Sequence, residues 1–209
     1  MDYRKVPLTA IRRISLYARV LAGLERDGKE GVSSQELGES ANIPSTQVRK
    51  DLAYFGQFGK RGRGYWVKEL SHKLKKILGT DRIWKVALVG AGNLGKALFA
   101  YPGFRQQGFN IVAIFDNNPA KINRTWKEVN IRHISGLPRI VEEKNISIGI
   151  IAVPGSSAQE VAQQMCEAGI KAILNFAPKR LLLPPECRQG NVDLAIELEN
   201  LSYFLSKIK

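Results

Sequence analysis

The stretch from Trp84 to Asp116 constrains the fold of this chain more than any other. Trp84-Lys85-Val86-Ala87-Leu88-Val89 has the length and apolar content of a buried strand, and Gly90-Ala91-Gly92-Asn93-Leu94-Gly95 follows at once. A strand that turns on G-x-G-x-x-G into a helix is one half of a βαβ unit. Ile111 to Phe115 supplies the second strand, and Asp116 closes it 21 residues beyond Gly95. In this setting Gly90 permits the tight turn, Gly92 lets backbone approach a pyrophosphate, and Gly95 allows the helix to pack on the strand. Ala91, Asn93 and Leu94 complete a loop whose helix N-terminus faces the anion. Parallel strands joined by a helix commit the region to an open α/β sheet.

An acid at the position of Asp116 can accept hydrogen bonds from adenosine ribose hydroxyls and repels a 2′-phosphate, which favours NAD(H) over NADP(H). Lys121 and Arg124 pull the other way, and an aspartate before Asn117-Asn118-Pro119 is also a turn former. Further strands are expected from Ile146 to Val153 and from Lys171 to Phe176. Between them, Ser157 and Glu160 have capping-box spacing for a helix reaching Ala168. Ligands of open α/β sheets sit beyond the carboxyl ends of strands, which nominates Val153, Pro154, Asn175 and Phe176 as pocket rims. Proline after a strand is equally a simple stop.

The region before Thr80 reads differently. Apolar residues from Leu8 to Leu24 recur at helical spacing up to Asp27-Gly28. Ser33 and Glu36 form a capping box for a short helix. Ala41-Asn42-Ile43-Pro44 ends it, and Ser45 is placed to cap another running to Leu52 or Phe55. Small Gly38 and Ala41, with Ile43, Val48 and Leu52 as the packing face, complete a helix-turn-helix pattern. Ser45, Thr46, Gln47, Arg49 and Lys50 then lie where recognition helices meet base edges and phosphates.

Beyond it, Lys60, Arg61 and Arg63 are spaced by glycines before a strand over Tyr65, Trp66 and Val67, the pattern of a basic wing. The same glycines suit a plain hairpin. Charge supports the first reading: the chain carries a formal +13, and Arg49 to Lys76 holds nine basic residues against Asp51 and Glu69. Such a concentration suits a phosphate-bearing partner, double-stranded DNA above all.

Other classes fall away. The longest apolar stretch, Ile146 to Pro154, is far shorter than the ~18 residues of a spanning helix, so no membrane partner is expected. Cys166 and Cys187 form no disulfide framework and match no metal-ligand spacing; no metal site is expected, and a cytoplasmic location is the default. His72 and His133 stand beside no strand-end motif, so no acid/base pair for hydride chemistry is evident and no catalytic residue is assigned. From Asp193 to Lys209, Leu194, Leu198, Leu201, Leu205 and Ile208 form a seam fit for a partner helix, or equally for burial within the chain's own core.

Over essentially its full length the sequence resembles the Rex family of bacterial redox-sensing transcriptional repressors. The resemblance rests on Gln47-Val48-Arg49-Lys50-Asp51-Leu52, Phe55-Gly56, Gly62 with Gly64-Tyr65, Gly90 to Gly95, Tyr101-Pro102-Gly103-Phe104, Gly169-Ile170-Lys171, Asn175-Phe176-Ala177-Pro178 and Asn191-Val192-Asp193, all in order. It implies an α/β fold in three parts: a winged helix-turn-helix domain over 1–79, a Rossmann-like parallel-sheet domain over 80–192, and a C-terminal dimer-exchanged helix over 193–209. It implies a homodimer on near-palindromic operator DNA that senses NADH against NAD+ and is released by NADH. Arg19, Tyr101 and Asp193 would make the polar contacts that change between states. Leu194 and Ala195 depart from relatives that carry an aromatic there. The region from Thr80 to Pro178 also resembles CoA-binding Rossmann-like domains. An NAD-dependent oxidoreductase and a CoA- or nucleotide-responsive regulator therefore stand as alternatives.

Overall fold

A computed structural model describes residues 6–59 and 63–207. The chain divides into two compact units, Met1–Arg82 and Ile83–Lys209.

In the first unit α1 (Leu8–Arg26) buries Ala10, Ile14, Tyr17, Ala18 and Leu21 on one stripe. Helix α2 (Ser34–Ala41) opens on the expected capping box: the Glu36 N–H donates to Ser33 Oγ at 3.0 Å and the Ser33 N–H to Glu36 Oε2 at 2.8 Å. The Lys29 ammonium, with the Ser33 contacts, pulls the Glu36 carboxyl down to about 2. Asn42 ends α2 in the left-handed region, and α3 (Ser45–Ala53) follows. A Cβ at Gly38 would lie 2.4 Å from the Ile43 carbonyl oxygen, so only glycine lets the turn between these helices close so tightly.

Two local expectations fail here. Ser45 does not cap α3: Pro44, held at φ −55° and ψ 137°, is the N-cap, and its carbonyl accepts the Gln47 and Val48 N–H groups. Nor does Val67 extend the strand. Strands β1 (Gly31–Val32) and β2 (Tyr65–Trp66) pair antiparallel, and Val67 begins α4 (Val67–Leu78). Val67, Leu70 and Leu74 share a helical stripe and are all buried, so burial of that face overrides the β preference of valine.

Among the described residues of the second unit seven strands form one sheet. They are β3 (Trp84–Val89), β4 (Phe109–Asp116), β5 (Thr125–Trp126), β6 (Val129–His133), β7 (Ile148–Ile151), β8 (Ala172–Asn175) and β9 (Arg188–Asn191), in the spatial order β5-β6-β4-β3-β7-β8-β9. Every pairing is parallel except β5 with β6. The order reverses direction between β3 and β7, which is the switch point of a Rossmann-like sheet. Both faces are covered: Ala87 and Val89 belong to one apolar cluster, Val86 and Leu88 to another. Helices α5 (Asn93–Ala100), α6 (Pro102–Gln106), α7 (Leu137–Lys144), α8 (Gly155–Glu167) and α9 (Leu194–Leu205) complete the unit.

Helix α8 starts two residues before Ser157, with Pro154 as N-cap and no side-chain cap. The Ser157–Glu160 box is therefore absent, because the rigid φ of Pro154 sets the helix start first. The strands expected over Ile146–Val153 and Lys171–Phe176 are shorter, Ile148–Ile151 and Ala172–Asn175. Strand β9 carries no signal in the sequence. All four of its residues are exposed, so no apolar alternation announces it. Helix α9 buries none of its residues; Leu194, Leu198, Leu201 and Leu205 are each at least 60% exposed, while Ile208 lies outside the described residues.

Candidate nucleotide and nucleic-acid sites

Strand register assembles the first site. Val89 pairs with Phe115 and with Ile151, Ile151 with Asn175, and Asn175 with Asn191. The residues that follow, Gly90, Asp116, Ala152, Phe176 and Val192, therefore stand level along one carboxyl edge. Sequence distance vanishes there.

The glycines divide the work. Gly90 has φ +107°, and a Cβ on it would lie 2.3 Å from the Ala152 carbonyl oxygen. On Gly95 a Cβ would lie 1.9 Å from the Gly90 oxygen, so these two shape the turn and seat α5. Gly92 is different: nothing lies within 4 Å of the Cβ it lacks, and its backbone is extended at φ −85° and ψ −168°. The fold does not need that glycine. What its absent side chain leaves is a bare approach to the amino end of α5, where the first N–H groups have no partner within the helix. The residues fit a dinucleotide pyrophosphate.

Asp116 anchors this loop. Its Oδ2 accepts from the Ala91 N–H at 2.7 Å and from the Lys121 ammonium at 3.0 Å, while Oδ1 accepts from the Asn118 N–H at 2.8 Å. Burial pushes the carboxyl upward, but these three donors outweigh it and hold it below the usual carboxylate range. Asp116 thus stays a charged acceptor, and Lys121 sits against it as a competing cation.

Val153 and Pro154 follow β7 at the same edge, and Phe176 is half-buried beyond β8. Asn175 is buried, and its side chain is spent on its own loop. Its amide donates to the Ala177 and Lys179 carbonyls at 3.2 and 2.9 Å and to Asn191 Oδ1, and its oxygen accepts the Ala177 N–H. It shapes the rim rather than presenting a free polar group. Asp193 lies two residues beyond β9 and caps α9, accepting the Ala195 N–H at 3.0 Å. Tyr101 lies elsewhere. It follows α5 and shares a groove with Phe104, Phe109 and Asn110 at the amino end of β4, the opposite edge of the sheet.

The second candidate surface is on the first unit. Val48, Asp51 and Leu52 face inward from α3, and Thr46, Arg49, Lys50 and Ala53 form the exposed face, with Ser45 half-buried at its start. The Arg49 guanidinium donates to Ser34 Oγ at 2.8 Å. Arg63 is exposed before β2; Lys60 and Arg61 lie outside the described residues. Arg19 is exposed on α1.

Gln47 departs from its expected role. Its amide donates to Asp51 Oδ1 at 2.7 Å, and Asp51, wholly buried, also accepts a bidentate pair from Arg13 at 2.6 and 2.7 Å and the Tyr17 hydroxyl at 2.9 Å. Burial raises the Asp51 carboxyl, yet Arg13, Gln47 and Tyr17 together hold it below its ordinary range; burial, then Asp51, push the Tyr17 phenol up. The spacing of Gln47 and Asp51 on one helix could have suggested their pairing. Nothing in the sequence joins Arg13 and Tyr17 to them.

Comparison with known proteins places the chain. It is 49% identical over 199 residues to the redox-sensing transcriptional repressor Rex of Carboxydothermus hydrogenoformans, covering 95% of this chain and 96% of that protein. Against its counterpart in Desulfitobacterium hafniense identity is 48%, covering 97% of each. The chain belongs to the Rex family of redox-sensing transcriptional repressors. The oxidoreductase alternative falls with that membership, since Rex proteins are transcription factors. Two family models match within the chain, one described as "CoA binding domain" over residues 81–179 and one as "Putative DNA-binding protein N-terminus" over residues 5–53. Among solved structures, the Rex-family repressor RSP in complex with beta-NAD+ and operator DNA superposes with a TM-score of 0.92 at 38% identity, covering 97% of this chain and 93% of that one. RSP in complex with beta-NADH gives 0.87 at 36%, covering 97% and 95%. The likeness carries the α/β assignment: an N-terminal helical DNA-binding domain and a Rossmann-like domain with a parallel sheet and C-terminal helix. Among the described residues no helix is long and apolar enough to cross a membrane.

Proposed function

We propose that this chain is a repressor that holds operator DNA and lets it go when NADH binds. The observation that carries the reading is the near full-length likeness to a protein solved with beta-NAD+ and operator DNA and, separately, with beta-NADH. Thr46, Arg49, Lys50 and Arg63 supply the exposed contacts, with Ser45 at the helix start; Lys60 and Arg61, which lie outside the described residues, add their charge to the same basic run. Gln47 stands behind them. The loop from Gly90 to Gly95 receives the pyrophosphate at Gly92, Asp116 takes the adenosine ribose, and Val153, Pro154, Asn175 and Phe176 bound the nicotinamide side. The nucleotide acts here as a signal and no bond is made or broken.

A ligand moves an equilibrium only by preferring one state; turning a 1:99 mixture into 99:1 takes about 5.5 kcal/mol of preference. Two sites in a homodimer share that load. The exposed leucine seam of α9 supports a dimer in which the helix is exchanged, and so does the placement of the switch residues. Tyr101 and Asp193 lie at opposite edges of one sheet, so a single chain does not bring both to one contact. The operator is then near-palindromic and the protein cytoplasmic. The match to a CoA-binding model supports a second reading, in which CoA, which also carries a pyrophosphate, fills the same loop.

The test is fluorescence anisotropy of the full chain on promoter fragments, titrated at fixed salt with NADH, NAD+ and CoA in turn. Release by NADH alone is the expected result. Release by CoA and not by NADH would transfer the site to the second reading, and failure to bind any fragment specifically would refute the repressor role.

A further inference from the structure

The recognition helix owes its orientation to a buried charge that never reaches its surface. We infer that Asp51 is the positioning residue of the DNA-reading face, fixing the rotation of α3 about its own axis through Arg13 and Tyr17 of α1 and through Gln47. The inference deepens the repressor reading and rests on it.

The geometry is specific. Asp51 is 0% exposed, and its two carboxylate oxygens accept from three side chains, with the planar Arg13 fork donating one hydrogen bond to each oxygen. A bidentate guanidinium–carboxylate pair fixes angle as well as distance, which a purely apolar contact between helices does not. Val48 and Leu52 flank Asp51 and bind α3 to the core, but apolar side chains tolerate small rotations and repack. One residue of helix turns the face by about 100°. A slip of a fraction of that would carry Arg49 and Lys50 off the phosphates and base edges they serve, whose hydrogen bonds weaken within a few tenths of an ångström.

Gln47 follows from this. Glutamine on a recognition helix is an obvious reader of adenine, by a bidentate contact of its amide. Here the amide nitrogen is committed to Asp51, so Gln47 braces the helix and leaves base reading to Thr46, Arg49 and Lys50.

The experiment uses the full chain and a duplex that the wild type selects from a random-sequence library, with a set of single-base variants of that duplex. Binding is measured by anisotropy at a temperature where circular dichroism shows every variant folded. For Gln47→Ala the affinity is expected to fall three- to tenfold on every duplex by the same factor, leaving base preference unchanged. For Asp51→Asn and Tyr17→Phe it falls similarly or further, while NADH binding, read by nicotinamide fluorescence, is unchanged. The Arg13→Ala and Asp51→Asn effects are expected to be strongly non-additive. Should Asp51→Asn fail to fold, Tyr17→Phe and Gln47→Ala decide the matter. Loss of preference at one base pair in Gln47→Ala would make Gln47 a reader and overturn the inference. Wild-type affinity in a folded Tyr17→Phe or Asp51→Asn variant would overturn it too. If the wild type itself selects no duplex, the repressor reading fails and this inference falls with it.

Discussion

Replacing Gly92 with valine separates what the fold needs from what the ligand needs. The backbone at Gly92, φ −85° and ψ −168°, is ordinary extended conformation, and nothing lies within 4 Å of the added Cβ. The cost to stability is then that of replacing glycine with a poor N-cap, about 1 kcal/mol or less, or a few degrees of melting temperature for a unit of this size. The cost to binding is larger. An isopropyl group at this point holds the pyrophosphate away from the N–H groups that open α5. Each lost hydrogen bond to a charged group is worth roughly 1.5–3 kcal/mol, so losing two weakens NADH by about 10²–10⁴-fold. Gly95→Ala is the contrast: its Cβ would sit 1.9 Å from the Gly90 oxygen, so α5 must shift by more than an ångström. Overpacking of that kind costs about 3 kcal/mol and lowers the melting temperature by about 10 °C. Isothermal titration with NADH and a thermal melt of each full-length variant test the pair. A Gly92→Val chain that binds NADH like the wild type, or melts lower than Gly95→Ala, would refute this division of labour among the glycines.

Three further outcomes are expected. Lys50→Ala should lower the slope of log affinity against log salt on operator DNA by about 0.9, as for one lost phosphate contact; an unchanged slope would place Lys50 off the backbone. The Asp51 carboxyl is held low in the folded state, so its contribution to stability is present above pH ~4 and lost as pH falls below that. Chemical denaturation from pH 7 to 2.5 should show the acid limb flattened in Asp51→Asn, with Asp116 unchanged in both proteins; identical limbs would contradict the assignment. Glutamate in place of Leu198 and Leu201, 68% and 60% exposed within the chain, should halve the mass seen by light scattering without lowering the melting temperature of either unit's core. A dimer of undiminished mass would show that α9 is not its interface.

Much of this was legible because it is written in local chemistry. The span of β3, the glycine loop, the second strand ending in Asp116, and the Ser33–Glu36 box depend on residues close in sequence. Where a second local signal competed, the stronger constraint won: Pro44 displaced Ser45 as a cap, and Pro154 began α8 before Ser157 could. Strand β9 was illegible for the opposite reason, since Arg188, Gln189, Gly190 and Asn191 are held by backbone pairing to β8 and bury no side chain. The network around Asp51 joins residues up to 38 positions apart, and a buried aspartate on a basic helix reads in sequence only as one more surface charge. Asn175 was placed correctly on the strand edge, but its neighbours consume the polar groups that a sequence reading leaves free.

The two rims of the sheet bear on how this protein behaves when crowded. At one side β5 is only two residues long and gives way to Lys127 at φ +51°, a backbone that cannot continue a ladder. At the other, β9 is short, carries Arg188, and shows four polar or glycine residues to water. Short, charged and interrupted rims are poor templates for a further strand. Copies of this chain are therefore poorly suited to extend one another's seven-stranded sheet, and the longest run of exposed apolar side chains lies on a helix, α9. Concentrated solutions of the folded protein should therefore associate through helix faces before any strand adds to the sheet.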